Sequence, residues 1–247
     1  MYSHCQDGGW ILGHLIDGTQ AEYVRIPYAD TSLYHIPAGT NEESLVMLSD
    51  ILPTAYECGV LNGQVQPGSA VAIVGAGPIG LAALSTAQFF SPATIVMIDN
   101  DNNRLEVAKK MGATHVINSS EENVIEKVMA LTDFEGVDTA MEAVGIPATF
   151  ELCTRLIRPG GKVANIGVHG KSVSLALDEL WSKNITITTR LVDTYTTPML
   201  LKTVSKKLDP ASFITHRFAL SDIENAYRTF GNAAKEKALK VIISNDY

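Results

Sequence analysis

The chain has 247 residues, 46% of them hydrophobic, and a formal charge of -8 at neutral pH. Such a length can bury a substantial core in one large domain or two smaller ones, and an acidic chain whose Lys and Arg are scattered is a poor fit to a phosphate backbone, so no nucleic-acid partner is expected. No stretch approaches the roughly 20 apolar residues of a membrane-spanning helix, and the opening Met1-Tyr2-Ser3-His4-Cys5 lacks the basic region and apolar run of a secretory signal, so the expected setting is the cytoplasm with no membrane partner.

Taken in chain order, residues 1–50 read as short strands and turns, with 20–26 and 32–36 the clearest extended pieces. They do not amount to a complete domain. From about residue 69 to 189 short β-branched runs alternate with longer amphipathic segments, the pattern of a parallel sheet covered by helices. Strands are expected at 70–74, 94–99, 115–118, 137–140, 162–166 and 185–189, which makes the fold class α/β, a doubly wound six-stranded parallel sheet. The helix after the first strand carries Ile79, Leu81, Ala82, Leu84 and Ala87, and the next carries Leu105, Val107, Ala108 and Met111 before Gly112 ends it. Each should lay one face on the sheet. Pro159-Gly160-Gly161 reads as the turn into the fifth strand. In the tail, a helix is expected at 199–207, an extended piece at 214–218 and a last strand at 239–243, with Ser221-Asp222-Ile223-Glu224 as a capping box between them.

The strand at 70–74 runs directly into Gly75-Ala76-Gly77-Pro78-Ile79-Gly80, a G-x-G-x-x-G pattern standing where a strand ends and a helix begins. Gly75 permits the tight turn, Gly77 lets the backbone approach a pyrophosphate, and Gly80 lets helix and strand come close. The first N–H groups of the helix at Pro78 and Ile79 then face the phosphates. The second strand ends in Asp99, 19 residues after Gly80, placed to accept ribose hydroxyls and to repel the extra phosphate of NADP. Asn100 and its neighbours to Asn103 include no Arg, and Arg104 is the nearest cation, so NAD is the expected cofactor. Val144-Gly145 and Gly167-Val168, beyond the ends of the fourth and fifth strands, are weaker cofactor-site candidates that ordinary turns also explain.

With those motifs in place, Gly18-Thr19-Gln20-Ala21-Glu22-Tyr23-Val24, Ser49-Asp50-Ile51-Leu52-Pro53-Thr54-Ala55-Tyr56 and the Gly75–Gly80 turn, in that order, resemble the bacterial zinc alcohol dehydrogenases of the medium-chain family. The resemblance extends to Tyr247. It implies a Rossmann domain at 51–190, a remnant of a GroES-like, mostly β catalytic domain at 1–50, and a tail at 191–247 that returns to it. It also implies NAD and zinc as cofactors, a small-molecule alcohol as substrate and a homo-oligomer, dimer or tetramer. Asp50 matches a catalytic-zinc ligand, Thr54 a residue beside the nicotinamide, and Cys5 the last ligand of a structural zinc, while Lys240 falls near the pyrophosphate but reads better as a solvated lysine.

The residues alone leave Asp50 equally readable as an N-cap for the segment 53–61. The family's other zinc ligands and its proton relay have no counterpart here and would precede Met1. One thiolate cannot build a tetrahedral site, and the three cysteines, Cys5, Cys58 and Cys153, form neither a disulfide framework nor a zinc cluster. Hydride transfer from an alcohol carbon with zinc as Lewis acid is therefore the expected chemistry of the intact enzyme, weak or absent in this chain as written. Related polyol or threonine substrates, and a non-catalytic NAD-binding module, are the alternatives. Methyl transfer, which also uses Gly-rich turns, fits the six-strand pattern poorly. Missing strands should leave apolar surface uncovered around Ile11, Leu12, Tyr23 and Val24.

Overall fold

The computed structural model describes residues 1–204 and 208–245. The chain divides into two compact units, one made of residues 50–192 and the other of residues 1–49 with 193–247.

The central unit is built on the β/α alternation of the sequence. Its elements are β1 (Ala70–Val74), α1 (Pro78–Ala87), β2 (Thr94–Asp99), α2 (Asn102–Lys110), β3 (His115–Asn118), α3 (Val124–Leu131), β4 (Val137–Glu142), α4 (Pro147–Leu156), β5 (Ile157–Asn165) and β6 (Thr186–Thr189). The six strands form one sheet in the order β3-β2-β1-β4-β5-β6, every pair parallel. Strands covered on both faces read as unbroken apolar runs, and Val71, Ile73, Val96 and Met97 have no solvent exposure. A core of Ala72, Val96, Ile98, Val128, Phe150, Cys153 and Leu156 fills the space between the sheet and helices α3 and α4.

Helix α1 departs from the one-faced packing expected of it. Leu81, Ala82, Ala83, Leu84 and Ala87 are all fully buried, because α1 lies between β1 and a helix that runs α-helical over Ile51–Thr54 and as a π-helix over Ala55–Leu61. A helix covered on all sides needs no polar face. Helix α2 keeps the expected pattern: Leu105 and Ala108 are buried, and Gly112 ends the turn at φ +102°. The stretch Pro159-Gly160-Gly161 lies within β5 rather than before it. Ile157 pairs with Val137, the register then shifts, and Lys162 pairs with Thr139, so residues 158–161 bulge out of the ladder. The glycines permit the bulge, and Pro159 has no N–H to lose to it.

In the other unit the longer elements are α5 (Thr197–Val204), β7 (Ile214–Ala219), α6 (Ile223–Gly231) and β8 (Lys240–Ser244). β7 and β8 form a two-stranded parallel sheet. The expected helix at 199–207 starts two residues earlier, and its last three positions lie outside the described residues. The expected N-cap, Ser221, is not the N-cap of this helix. A 3-10 turn at Leu220–Asp222 moves the helix start on by one, so Asp222 takes the N-cap position without a side-chain cap bond.

The extended pieces at 20–26 and 32–36 form no strand. Among the described residues the only bridge in this part is Leu12 with Ile16, and Ser32 closes a helical turn, Ala29–Ser32. A β segment without a partner satisfies its N–H and C=O groups in water instead of in a ladder. Tyr23 is 84% and Val24 43% exposed, whereas Ile11 and Leu12 are partly covered. Among the described residues no single helix is long and apolar enough to cross a membrane.

Candidate functional site: a cleft at the sheet switch point

Strand order reverses between β1 and β4, and the crevice beyond the carboxyl ends of such strands is where an open α/β sheet takes a ligand. A cleft of about 550 Å³ opens there, within the usual size of a small-molecule site. Gly75, Gly77, Asp99, Asn100, Arg104 and Val144, all candidates from the sequence, line it, together with Ser119, Ile146 and Thr149, which the sequence reading did not single out.

The glycine turn has the geometry its spacing demands. Gly75 sits at φ +104°, a region that side chains disfavour. A Cβ added at Gly77 would meet nothing within 4 Å, so the backbone there faces open space. Pro78 stands at the first position of α1 with Gly77 as N-cap and no side-chain cap. The N–H groups of the first helical turn have no acceptor within the helix, and they carry the positive end of its dipole. Ile79 and Gly80 belong to that turn without lining the cleft, Gly80 being buried against the strand.

Asp99 is 9% exposed and already holds two backbone bonds. Its Oδ2 accepts the Ala76 N–H at 2.6 Å, and its Oδ1 accepts the Asp101 N–H at 2.9 Å. Each carboxylate oxygen has a second lone pair, so capacity for two hydroxyl donors remains. Arg104 is not a separate anion receptor. Its guanidinium lies 4.0 Å from Asp99 Oδ2 and 3.9 Å from Asp101 Oδ2, a loose pairing of modest strength.

The weaker candidates divide. Gly145, at φ +86°, and Gly167 are locked together: a Cβ on Gly145 would stand 2.4 Å from the Val168 carbonyl oxygen, and one on Gly167 would stand 2.3 Å from the Gly145 nitrogen. Neither they nor Val168, which is 92% exposed, line the cleft. Packing accounts for both glycines. The residue that sequence reasoning missed is Glu142, fully buried at the end of β4. Its signal was present, as an acid closing the apolar run Ala140-Met141 three residues before a glycine.

Asp50 precedes the Ile51–Thr54 helix and Thr54 is its last α-helical residue, and neither lines this cleft. Asp50 occupies the N-cap position without making the cap bond; its Oδ1 instead accepts the Thr54 hydroxyl at 2.6 Å. Cys5 is exposed and belongs to the other unit, as does Lys240. Among the described residues no three His, Cys, Asp or Glu side chains converge as a metal site. These residues therefore do not by themselves fit a zinc centre, which takes three or four protein ligands.

A doubly wound sheet with a glycine turn, an open helix N-terminus and an acid closing β2 defines a dinucleotide-binding fold. Comparison with known proteins narrows this. The family model described as zinc-binding dehydrogenase matches residues 78–206. A solved structure of zinc-dependent alcohol dehydrogenase 2 from Streptococcus pneumonia, in its apo form, is similar at 56% identity and a TM-score of 0.94, over 100% of this chain and 70% of that one. An alcohol dehydrogenase of Cupriavidus necator is 38% identical over 95% of this chain and 65% of its own length. A probable NADP-dependent isopropanol dehydrogenase of Mycoplasma pneumoniae is 30% identical over 98% and 71%. The chain belongs to the zinc-binding dehydrogenase family. It spans about 65% of the length of the Cupriavidus enzyme.

Proposed function

We propose that this chain binds NAD in the cleft between β1 and β4 and serves an alcohol dehydrogenase that transfers hydride between a small alcohol and the nicotinamide. The observation that carries the reading is the pairing of an open, uncapped helix N-terminus at Gly77 with the Asp99 carboxylate at the rim of the same cleft. The amides at the start of α1 would hold the pyrophosphate, and Asp99, Asn100 and Ser119 would surround the adenosine ribose. When bound, the nicotinamide supplies the hydride-accepting carbon.

NAD is favoured over NADP because Asp99 puts a carboxylate where the 2′-phosphate would sit, and Arg104 already lies beside Asp99 and Asp101. The Mycoplasma relative carries NADP in its name, so the choice is tested directly. NADH should give saturable fluorescence enhancement with the purified chain, and NADPH should bind at least about tenfold more weakly, the worth of about 1.4 kcal/mol. Equal affinity would overturn the NAD assignment, and no binding of either would overturn the function.

A second reading, a nucleotide-binding module without catalysis of its own, is favoured by the lack of a three-ligand metal group among the described residues. NADH binding combined with no turnover of short primary or secondary alcohols in added zinc would select it. The exposed Tyr23 and Val24 suit self-association, which light scattering would read as twice or four times the chain mass.

A further inference from the structure

Strand β4 delivers Glu142 into the protein with no solvent exposure. A buried carboxylate is costly unless its oxygens are occupied, and here one of them is filled. Oε1 accepts the N–H of Val144 at 2.9 Å, the N–H of Gly145 at 2.8 Å and the hydroxyl of Thr149 at 2.7 Å. The main-chain carbonyl of the same residue accepts the N–H groups of Ile166 at 2.8 Å and Gly167 at 3.0 Å. Glu142 thus ties the loop after β4 to the loop after β5, one through its side chain and the other through its backbone.

Oε2 has no hydrogen-bond partner and lies 3.3 Å from His169 Nε2. That ring nitrogen is also 2.8 Å from Asn165 Oδ1. Asn165 Nδ2 donates to the Gly167 carbonyl at 2.9 Å, which fixes the amide with its oxygen towards the ring. Two acceptors therefore face Nε2, so Nε2 carries the hydrogen. Gly167 leaves the room this needs, since a Cβ there would stand 2.4 Å from Glu142 Oε2.

The loop held by Oε1 is a wall of the cleft, through Ala143, Val144, Ile146 and Thr149. Asp99 ends β2, and the strand order places β2 and β4 on opposite sides of β1. A dinucleotide with its adenosine at Asp99 and its pyrophosphate at α1 runs on towards β4 and β5. We infer that Glu142 is a positioning residue for the nicotinamide half of the dinucleotide, acting through the Val144–Thr149 loop that its Oε1 holds, with the His169 ring beside its second oxygen. The inference rests on the reading that this cleft takes NAD.

Glu142→Gln tests it. The amide cannot satisfy both sides: its oxygen can face the three donors only if its NH2 faces the His169 Nε2–H, and the reverse setting turns NH2 against the three donors. NADH and AMP affinities are measured by fluorescence titration and calorimetry on wild type and variant. NADH should weaken by about tenfold, the scale of one hydrogen bond to a charged group, while AMP, which lacks the nicotinamide half, stays within about twofold. A merely structural role would weaken both alike, and that result, or unchanged NADH binding, overturns the inference. Should Glu142→Gln fail to fold, Thr149→Val removes one of the three donors, and the same NADH-against-AMP split decides. Failure of wild type to bind NADH overturns the NAD reading itself and is seen before any variant is made.

Discussion

A Cβ on Gly80 would stand 1.7 Å from the carbonyl oxygen of Gly75, so the first and last glycines of the turn touch. The two inner faces of that turn have opposite needs. Gly80→Ala must push α1 off β1 and should cost about 3 kcal/mol, the upper range of overpacking. The unfolding midpoint should then fall by about 6–12 °C. Gly77→Ala meets open space and should leave the midpoint unchanged while weakening NADH, because the added methyl occupies the phosphate approach. Equal effects of the two changes on melting would refute this division.

Asp99 acts on the turn as well as on the ligand, since it holds the Ala76 N–H. Asp99→Asn should weaken NADH by about tenfold or more, as expected for loss of charge-assisted bonds, and should narrow the difference between NADH and NADPH. Paired titrations of the two nucleotides read both effects. Retention of full NADH affinity would remove the basis of the proposed function.

The cysteines should separate by reactivity. Burial pushes the Cys153 thiol well above its ordinary range, and the nearby Glu142 carboxylate raises it further; the thiolate is the reactive form. Cys5 is exposed, while Cys58 and Cys153 are buried. Alkylation of the native chain followed by mass spectrometry should label Cys5 rapidly and Cys153 only after unfolding. Rapid native labelling of Cys153 would contradict its placement in the α4 core.

In the unit made of residues 1–49 and 193–247, Arg217 makes a bidentate bond to Glu43, with Nε to Oε1 at 2.8 Å and Nη2 to Oε2 at 2.7 Å. The hydrogen bonds from Arg217 lower the Glu43 pKa below its usual 4.5. A carboxylate whose pKa falls on folding stabilises the fold above its unfolded pKa, and that contribution is lost as the pH drops through the lowered value. Arg217→Ala should return the Glu43 titration, followed by carboxyl NMR, to the ordinary range. The difference should shrink in high salt because both groups are exposed.

Zinc content offers a separate check. With Asp50 bonded to Thr54 and Cys5 exposed, the chain purified after zinc addition and dialysis should retain well under one equivalent by elemental analysis. A full tightly held equivalent would show that ligands converge in a way the described residues do not.

The sequence made the six-stranded sheet readable because its inner strands β1, β2 and β4 are almost wholly buried, and β1 and β2 read as apolar runs. The boundaries of β1, β2 and β3 follow directly from the runs beginning at Ala70, Thr94 and His115. The segments 20–26 and 32–36 read as extended from their residues, but pairing depends on a partner strand that a local pattern does not reveal, and neither forms a strand. The bulge at 158–161 was legible as turn chemistry but not as an interruption inside a ladder, since only the pairing partner reveals it. In the cleft, Gly75, Gly77 and Asp99 announce themselves by spacing. Glu142 is marked only as an acid closing an apolar run, and its role is not legible, because its three donors come from a loop whose course no local pattern dictates.

The mutual contact of Gly145 and Gly167 bears on how this protein can change. A side chain on Gly167 would need the space of the Gly145 backbone, and one on Gly145 the space of the Val168 backbone, so neither position can grow without moving the loop that faces it. A library aimed at altered nucleotide preference gains nothing from randomising them. Variation is better directed at Val144 and Val168, whose side chains are 46% and 92% exposed, where the loops can be redecorated without prising them apart.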